Sequence, residues 1–254
     1  AKAHLSAWSK SMYGLDPTNI NSDNASQPLQ DYTFAQWWWH GNLDNPPAPG
    51  EVTKLPANGH IDVEISSNKA QTTLGRGFFD KDPRKAPEPW SNGNGWGNMH
   101  APARSDVAGS AIAIAYKSDA KAVLPGDFVV ISVVHDSPAR QLETFKLPDL
   151  PACPGDRCNC AWFWIHNSIG GSDQMYMTPF ACTVTNATST KPPGKPIAPV
   201  NCEGAPEKCI VGAKSPMYWK NLEGNNMFEK DHFAPTYSSK YGFADGAQVD
   251  FRED

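Results

Sequence analysis

Ala161-Trp-Phe-Trp-Ile-His166, Asn167-Ser-Ile-Gly-Gly-Ser172 and Gln174-Met-Tyr-Met-Thr-Pro-Phe-Ala-Cys-Thr-Val184 follow one another in the second half of the chain. Two apolar, aromatic runs flank a short polar loop that carries the glycines a strand reversal needs. The stretch therefore predicts a β-hairpin. Upstream, Ala111-Ile-Ala-Ile-Ala-Tyr116 and Asp127-Phe-Val-Val-Ile-Ser-Val-Val134 are short, β-branched apolar runs separated by Leu124-Pro125-Gly126. They read as adjacent core strands joined by a turn. His60-Ile-Asp-Val-Glu-Ile-Ser66 alternates apolar with polar residues, the period of a strand with one buried face. From His4 to about Asn58 the chain is aromatic and loop-rich, with Trp37-Trp38-Trp39-His40 ahead of the turn-prone Asn45-Pro-Pro-Ala-Pro-Gly50. Thr185 to Val200 is dominated by Thr, Pro, Gly and Lys and reads as an extended connector. Asn201 to Asp254 holds two cysteines and several aromatics without a sustained period. It reads as a stapled extension.

Composition agrees with this pattern. The 254 residues include 23 Pro and 20 Gly against only 19% charged side chains, a balance that favours short strands and long ordered loops over helices. The predicted class is all-β: an immunoglobulin-like or fibronectin-like antiparallel β-sandwich with long loops and a disulfide-stapled C-terminal extension. Residues 4–184 are assigned to the sandwich, and residues 185–254 to a connector and extension packed on it. A formal charge of -5 and the lack of a Lys/Arg cluster interleaved with aromatics argue against nucleic acid as a partner. No run approaches the roughly 18 apolar residues of a membrane helix, so no membrane partner is expected.

Cys153, Cys158, Cys160, Cys182, Cys202 and Cys209 lack paired zinc-knuckle spacing and read as disulfides, for which fifteen connectivities exist. The preferred pairing joins Cys160 to Cys182 and Cys202 to Cys209, leaving Cys153 for Cys158. Asn24-Ala-Ser26 and Asn186-Ala-Thr188 are candidate glycosylation sites. Together these features point to a secreted, extracellular chain. Ala1-Lys2-Ala3 has the small-x-small form that precedes signal-peptidase cleavage and is expected to be a signal remnant or a cloning scar.

Hydrolase and phosphate-binding signatures are missing: there is no Gly-x-Ser-x-Gly, no His-Glu-x-x-His and no glycine-rich phosphate loop. Asp62 and Glu64 could form a glycosidase pair, but alternate acidic residues on one strand read better as a solvated face. What stands out is three histidines in specific settings: His4 near the start, His100 within Gly97-Asn-Met-His-Ala-Pro102, and His166 ahead of Gln174 and Tyr176. These motifs, with Ser11-Met-Tyr13, Trp37-Trp-Trp-His-Gly41, Leu55-Pro-Ala-Asn-Gly59 and Ser67-Asn-Lys-Ala70, resemble fungal lytic polysaccharide monooxygenases, most closely auxiliary activity family fourteen. The likeness runs from His4 to about Cys182 and is weaker beyond.

The resemblance implies a histidine brace, in which an amino-terminal histidine gives its α-amine and a ring nitrogen and an internal histidine gives a third nitrogen to one copper ion. His4 and His100 match those positions, and Tyr176 matches the tyrosine beside the axial direction. Three nitrogens with tetragonal preference suit Cu(II) better than the closed tetrahedron of structural zinc. Gln174, on the same strand face as Tyr176, is placed to hydrogen-bond its phenol or a copper-bound oxygen species, and His166, at hairpin distance, is a supporting partner. The implied activity is oxidative cleavage of plant-wall polysaccharide, with xylan associated with cellulose as substrate. It needs an external electron donor and dioxygen or hydrogen peroxide as co-substrate. A monomer is expected. Because an amide nitrogen cannot replace a free amine, the full brace requires His4 to be the amino terminus. A secreted copper-binding or carbohydrate-binding protein without oxygenase activity is the alternative reading. His40 reads as structural, and His60, His135 and His232 as solvent-facing or packing residues.

Overall fold

A computed structural model describes residues 4–77, 82–86 and 100–251. Ala1-Lys2-Ala3 and the Gly97-Asn98-Met99 part of the His100 motif lie outside the described residues.

The predicted hairpin consists of β7 (Cys158–Ile165) and β8 (Met175–Thr185), which pair antiparallel with Trp164 opposite Tyr176. Strands β4 (Ser110–Ala115) and β5 (Val129–Val134) also pair antiparallel, and β4 pairs with β7 on its other side. Two further strands complete this sheet at its edges. β2 (Thr53–Pro56) runs parallel to β8, a departure from the all-antiparallel expectation, and β9 (Gly246–Ala247) pairs with β5. The sheet order is thus β2-β8-β7-β4-β5-β9. A smaller sheet sets β3 (His60–Ser66) between β1 (Ser6–Trp8) and β6 (Leu142–Lys146), both antiparallel. A single turn, α1 (Phe34–Trp37), is the longest regular α-helix among the described residues.

Alternation along the strands divides the core in two. Trp162, Trp164, Tyr176, Phe180, Ile112 and Ile114 face the small sheet and pack with its Ile61, Ile65 and Phe145. Their neighbours Ala161, Phe163, Ile165, Met175, Met177, Ala111 and Ala113 point the other way into a second cluster. That outer face is covered by Trp37, Trp38 and Trp39 from the N-terminal loops and by Met217, Tyr218, Trp219, Tyr237 and Phe243 from the extension. Burial of both faces explains why β4 and β7 are apolar apart from the buried Ser110 and Asn159 and show no solvated face. It also gives the extension a physical role, because without its aromatic residues one face of the large sheet would be wet. The connector is held mainly by its backbone: Ile197 and Ser215 exchange ladder bonds with Ala213 and Ile197, and Gly194 donates to Phe251.

The disulfides are Cys153–Cys158, Cys160–Cys182 and Cys202–Cys209. Asn24 and Asn186 are both exposed.

One expectation needs correction. Asp62 is exposed and accepts from Thr144 Oγ1 at 2.6 Å, but Glu64 is buried, so the two do not form a solvated face. The segment after β3 folds back over it, and both the amide (3.0 Å) and the hydroxyl (2.7 Å) of Thr73 donate to its carboxylate. Burial raises its pKa against those bonds.

Glu143 is buried more deeply. It takes an inward position on β6 beside Phe145, and its Oε1 accepts from the amides of Ala139 (2.9 Å) and Arg140 (3.0 Å). Desolvation pushes its pKa from 4.5 up to about 7. The folded protein therefore keeps a proton that the unfolded chain releases between those values. Stability from this group is full below pH 4.5 and is lost as pH rises through about 7, by up to ~3 kcal/mol. Glu143→Gln keeps an acceptor oxygen without the charge. In urea unfolding it should match the parent at pH 4 and exceed it at pH 8 by about 2 kcal/mol; equal pH profiles for the two proteins would contradict this account.

Candidate metal centre

β1 reaches across to β8 through side chains. Ser6 Oγ lies 2.7 Å from Thr178 Oγ1, and one alternation earlier on each segment His4 Nδ1 lies 3.0 Å from the phenol oxygen of Tyr176. The next residue on that face is Gln174, and the Tyr176 hydroxyl donates to its Oε1 at 3.0 Å. The period of two that placed Gln174 beside Tyr176 thus sets a ladder of polar contacts along one edge of the inner core. Because the phenol proton is committed to Gln174, the contact with His4 has Nδ1–H donating. Tyr176 is 1% exposed, and that burial pushes its pKa far above the usual range, so the phenol stays protonated.

His100 comes to the same end of the sheet from a loop. Its ring centroid is 6.0 Å from that of His4. It is buried and stacked on His166, with centroids 4.1 Å apart and planes inclined by 14°, and its other near neighbour is Trp164 at 5.7 Å. His100 Nδ1 lies 3.2 Å from the carbonyl oxygen of Gly170. With Nδ1–H donating there, Nε2 is the ring nitrogen without a proton. His166 is fixed in turn by its Nδ1 against the Asn167 carbonyl at 2.9 Å. The backbone of His100 has φ +51°, a left-handed conformation that a non-glycine residue holds only when its surroundings enforce it. Gly170 is part of that enforcement, since a Cβ there would lie 2.0 Å from the His100 carbonyl oxygen.

Two imidazoles therefore converge beside a neutral phenol. Among the described residues no group of three or more His, Cys, Asp or Glu side chains could hold a metal ion. A metal here would take the two ring nitrogens and would need a donor that is not a side chain. The backbone nitrogen of His4 would be a donor of that kind only as the α-amine of a chain beginning there. With that amine, two ring nitrogens and one amine nitrogen would make a donor set suited to copper.

The remaining histidines lie in other settings. His40 places Nε2 2.9 Å from the Gln27 carbonyl, and burial lowers its pKa, as suits a neutral structural ring. His135 Nε2 is 3.0 Å from the Phe243 carbonyl, and His60 and His232 are exposed. Sequence reasoning missed the stacking of His166 on His100, the contact of Trp164 and the seat made by Gly170. The Gly170-Gly171 pair was read only as a turn signal, although a glycine can equally mark a close backbone approach.

The family model described as lytic polysaccharide monooxygenase AA14 matches residues 1–254, so the likeness extends through the extension and is not confined to the segment ending near Cys182. An AA14 family lytic polysaccharide monooxygenase A of Trametes coccinea (strain BRFM310) is 42% identical over 98% of this chain. The chain spans 61% of that relative's length. A B-type member from Pycnoporus cinnabarinus is 36% identical over 97% of the chain and 69% of the relative. One from Talaromyces rugulosus is 30% identical over 98% and 93%. A solved structure titled the extended catalytic domain of H. jecorina LPMO9A aligns over 98% of this chain and 95% of its own at 13% identity and a TM-score of 0.37, too low to carry an argument.

Gly170→Ala tests the seat of His100. The added methyl must displace the His100 backbone, and copper affinity should fall about 10- to 100-fold in titrations while thermal unfolding still shows a folded chain. Unchanged affinity would show that Gly170 does not position the ring.

Proposed function

We propose a function from one premise: this chain belongs to the lytic polysaccharide monooxygenase family AA14. On that premise it is a secreted, copper-dependent enzyme that cleaves plant-wall polysaccharide oxidatively, with xylan associated with cellulose as the substrate. The observation that carries the reading is the pair of imidazoles of His4 and His100, 6.0 Å apart, beside the protonated phenol of Tyr176. A copper ion held there would supply one-electron chemistry towards dioxygen or hydrogen peroxide after reduction by an external donor.

The protein's own groups have separable tasks. His4 offers Nδ1 and, once it is the free amino terminus, its α-amine. His100 offers Nε2 because Gly170 holds the proton on Nδ1. For His4 to bind through Nδ1, its ring proton must sit on Nε2, so metal uptake would switch the tautomer and give up the hydrogen bond to Tyr176. Tyr176 keeps its own proton and, held by Gln174, fills the space beside His4 with a neutral oxygen. His166 braces the outer face of the His100 ring. The three disulfides and the exposed Asn24 and Asn186 favour an extracellular glycoprotein, and among the described residues no helix is long and apolar enough to cross a membrane.

A chain processed to begin at His4 and loaded with copper should release oxidised oligosaccharides from xylan-coated cellulose when a reductant is present. His100→Ala should lower product at least ~100-fold by mass spectrometry, and Tyr176→Phe by less. A chelator should abolish the products, and copper, but not zinc, should restore them. Tight copper binding with no oxidised sugar from any wall fraction would leave a copper-binding or carbohydrate-binding protein in place of the enzyme.

A further inference from the structure

A cleft of about 800 Å³ opens beside the candidate centre, within the size of sites that hold small ligands. Two of its walls are the segments that hold His100. Arg104 to Ala108 follows that histidine, and Asn167 to Ile169 leads directly into Gly170, whose carbonyl orients it. The third wall is the extension, from Glu229 through Phe233 to Tyr241. The walls are tied together: the Ala234 amide donates to Ser168 Oγ at 2.7 Å.

The chemistry of this cleft is specific. Arg104 pairs with Asp136 and Lys240 Nζ lies 3.0 Å from Glu203, and with Asp106 and Glu229 the walls hold more carboxylates than cations, which disfavours an anionic ligand. Two large apolar side chains stand in solvent at its edge, Ile169 at 65% and Phe233 at 69% exposure. Deeper in, Glu229 accepts from the Tyr241 hydroxyl through Oε1 at 2.9 Å, while its Oε2 is buried with no hydrogen-bond partner. A buried acceptor left open calls for a donor. An exposed aromatic face, an apolar neighbour and an unfilled carboxylate oxygen form a set that suits a neutral polyol with apolar ring faces.

We propose that this cleft binds a stretch of neutral glycan chain adjoining the residue to be cleaved. Phe233 stacks on a sugar ring, and Glu229, after a small rotation of its carboxylate, accepts from a sugar hydroxyl. The assignment rests on the polysaccharide reading above and deepens it, by making the extension a substrate-binding wall as well as a cover for the sheet.

Retention on xylan-coated cellulose and titration with xylo- and cello-oligosaccharides test it, using the full copper-loaded chain without reductant. Phe233→Ala should weaken binding on the order of five-fold and Phe233→Tyr should restore it, as expected for aromatic stacking. Glu229→Gln, which keeps the acceptor for Tyr241, should weaken binding about two- to three-fold. Copper affinity should be the same in all of them, which also shows that they fold. Parental binding in both Phe233→Ala and Glu229→Gln, or no glycan binding by the parent, overturns the proposal. A parent that binds but yields no oxidised sugar once reductant is added would refute the enzyme reading and leave the cleft standing.

Discussion

The register between β7 and β8 is the constraint on which the rest depends. With Trp164 opposite Tyr176 and Cys158 opposite Cys182, the even-numbered side chains of the pair face the small sheet and the odd-numbered ones face the layer built by the N-terminal loops and the extension. A slip by one residue would turn Tyr176 and Gln174 into the outer cluster and bring Met175 and Met177 to the histidines. The Cys160–Cys182 bond fixes the same register covalently. Burial of both faces makes such a slip costly, because each face is already matched to a packed layer.

From that register the centre follows with few additional parts. The side chain of β8 that meets Ser6 is Thr178, and one step along the same face Tyr176 meets His4. The loop that closes the hairpin brings Gly170 under His100, and the end of β7 presents His166 as a flat support for the His100 ring. One hairpin thus orients both imidazoles, although neither belongs to it. The positive φ of His100 and the lack of room for any side chain at Gly170 are two sides of one close contact.

Much of this was legible in the residues. Strands with one wet face announce themselves by alternation, as β3 does, and β7 and β8 were marked by length, aromatic content and the intervening glycines. Strands β1, β2 and β6 were not foreseen. Each is short, and Leu142-Glu-Thr-Phe-Lys146 places a carboxylate at an inward position, which breaks the pattern a reader looks for. Glu64 misled for a related reason: its strand pattern is that of a solvated residue, and only the return of Thr73 over it reveals burial. His4, His100 and Tyr176 stand out through the motifs that carry the family resemblance, and Gln174 through strand period. The stack of His166, the seat at Gly170 and the cleft against the extension depend on contacts between segments distant in sequence, and no local period encodes those.

The proposed copper site joins two imidazoles to one terminal amine, three nitrogens in all. Electron paramagnetic resonance of Cu(II)-loaded protein tests it most directly, comparing a chain that begins at His4 with one that retains Ala1-Lys2-Ala3. The first chain should give an axial spectrum with coupling to three nitrogens. One nitrogen should be lost in His100→Ala, and the spectrum should be altered and the binding weaker in the extended chain. The same three-nitrogen spectrum with the extension in place, or one indifferent to His100→Ala, would contradict it.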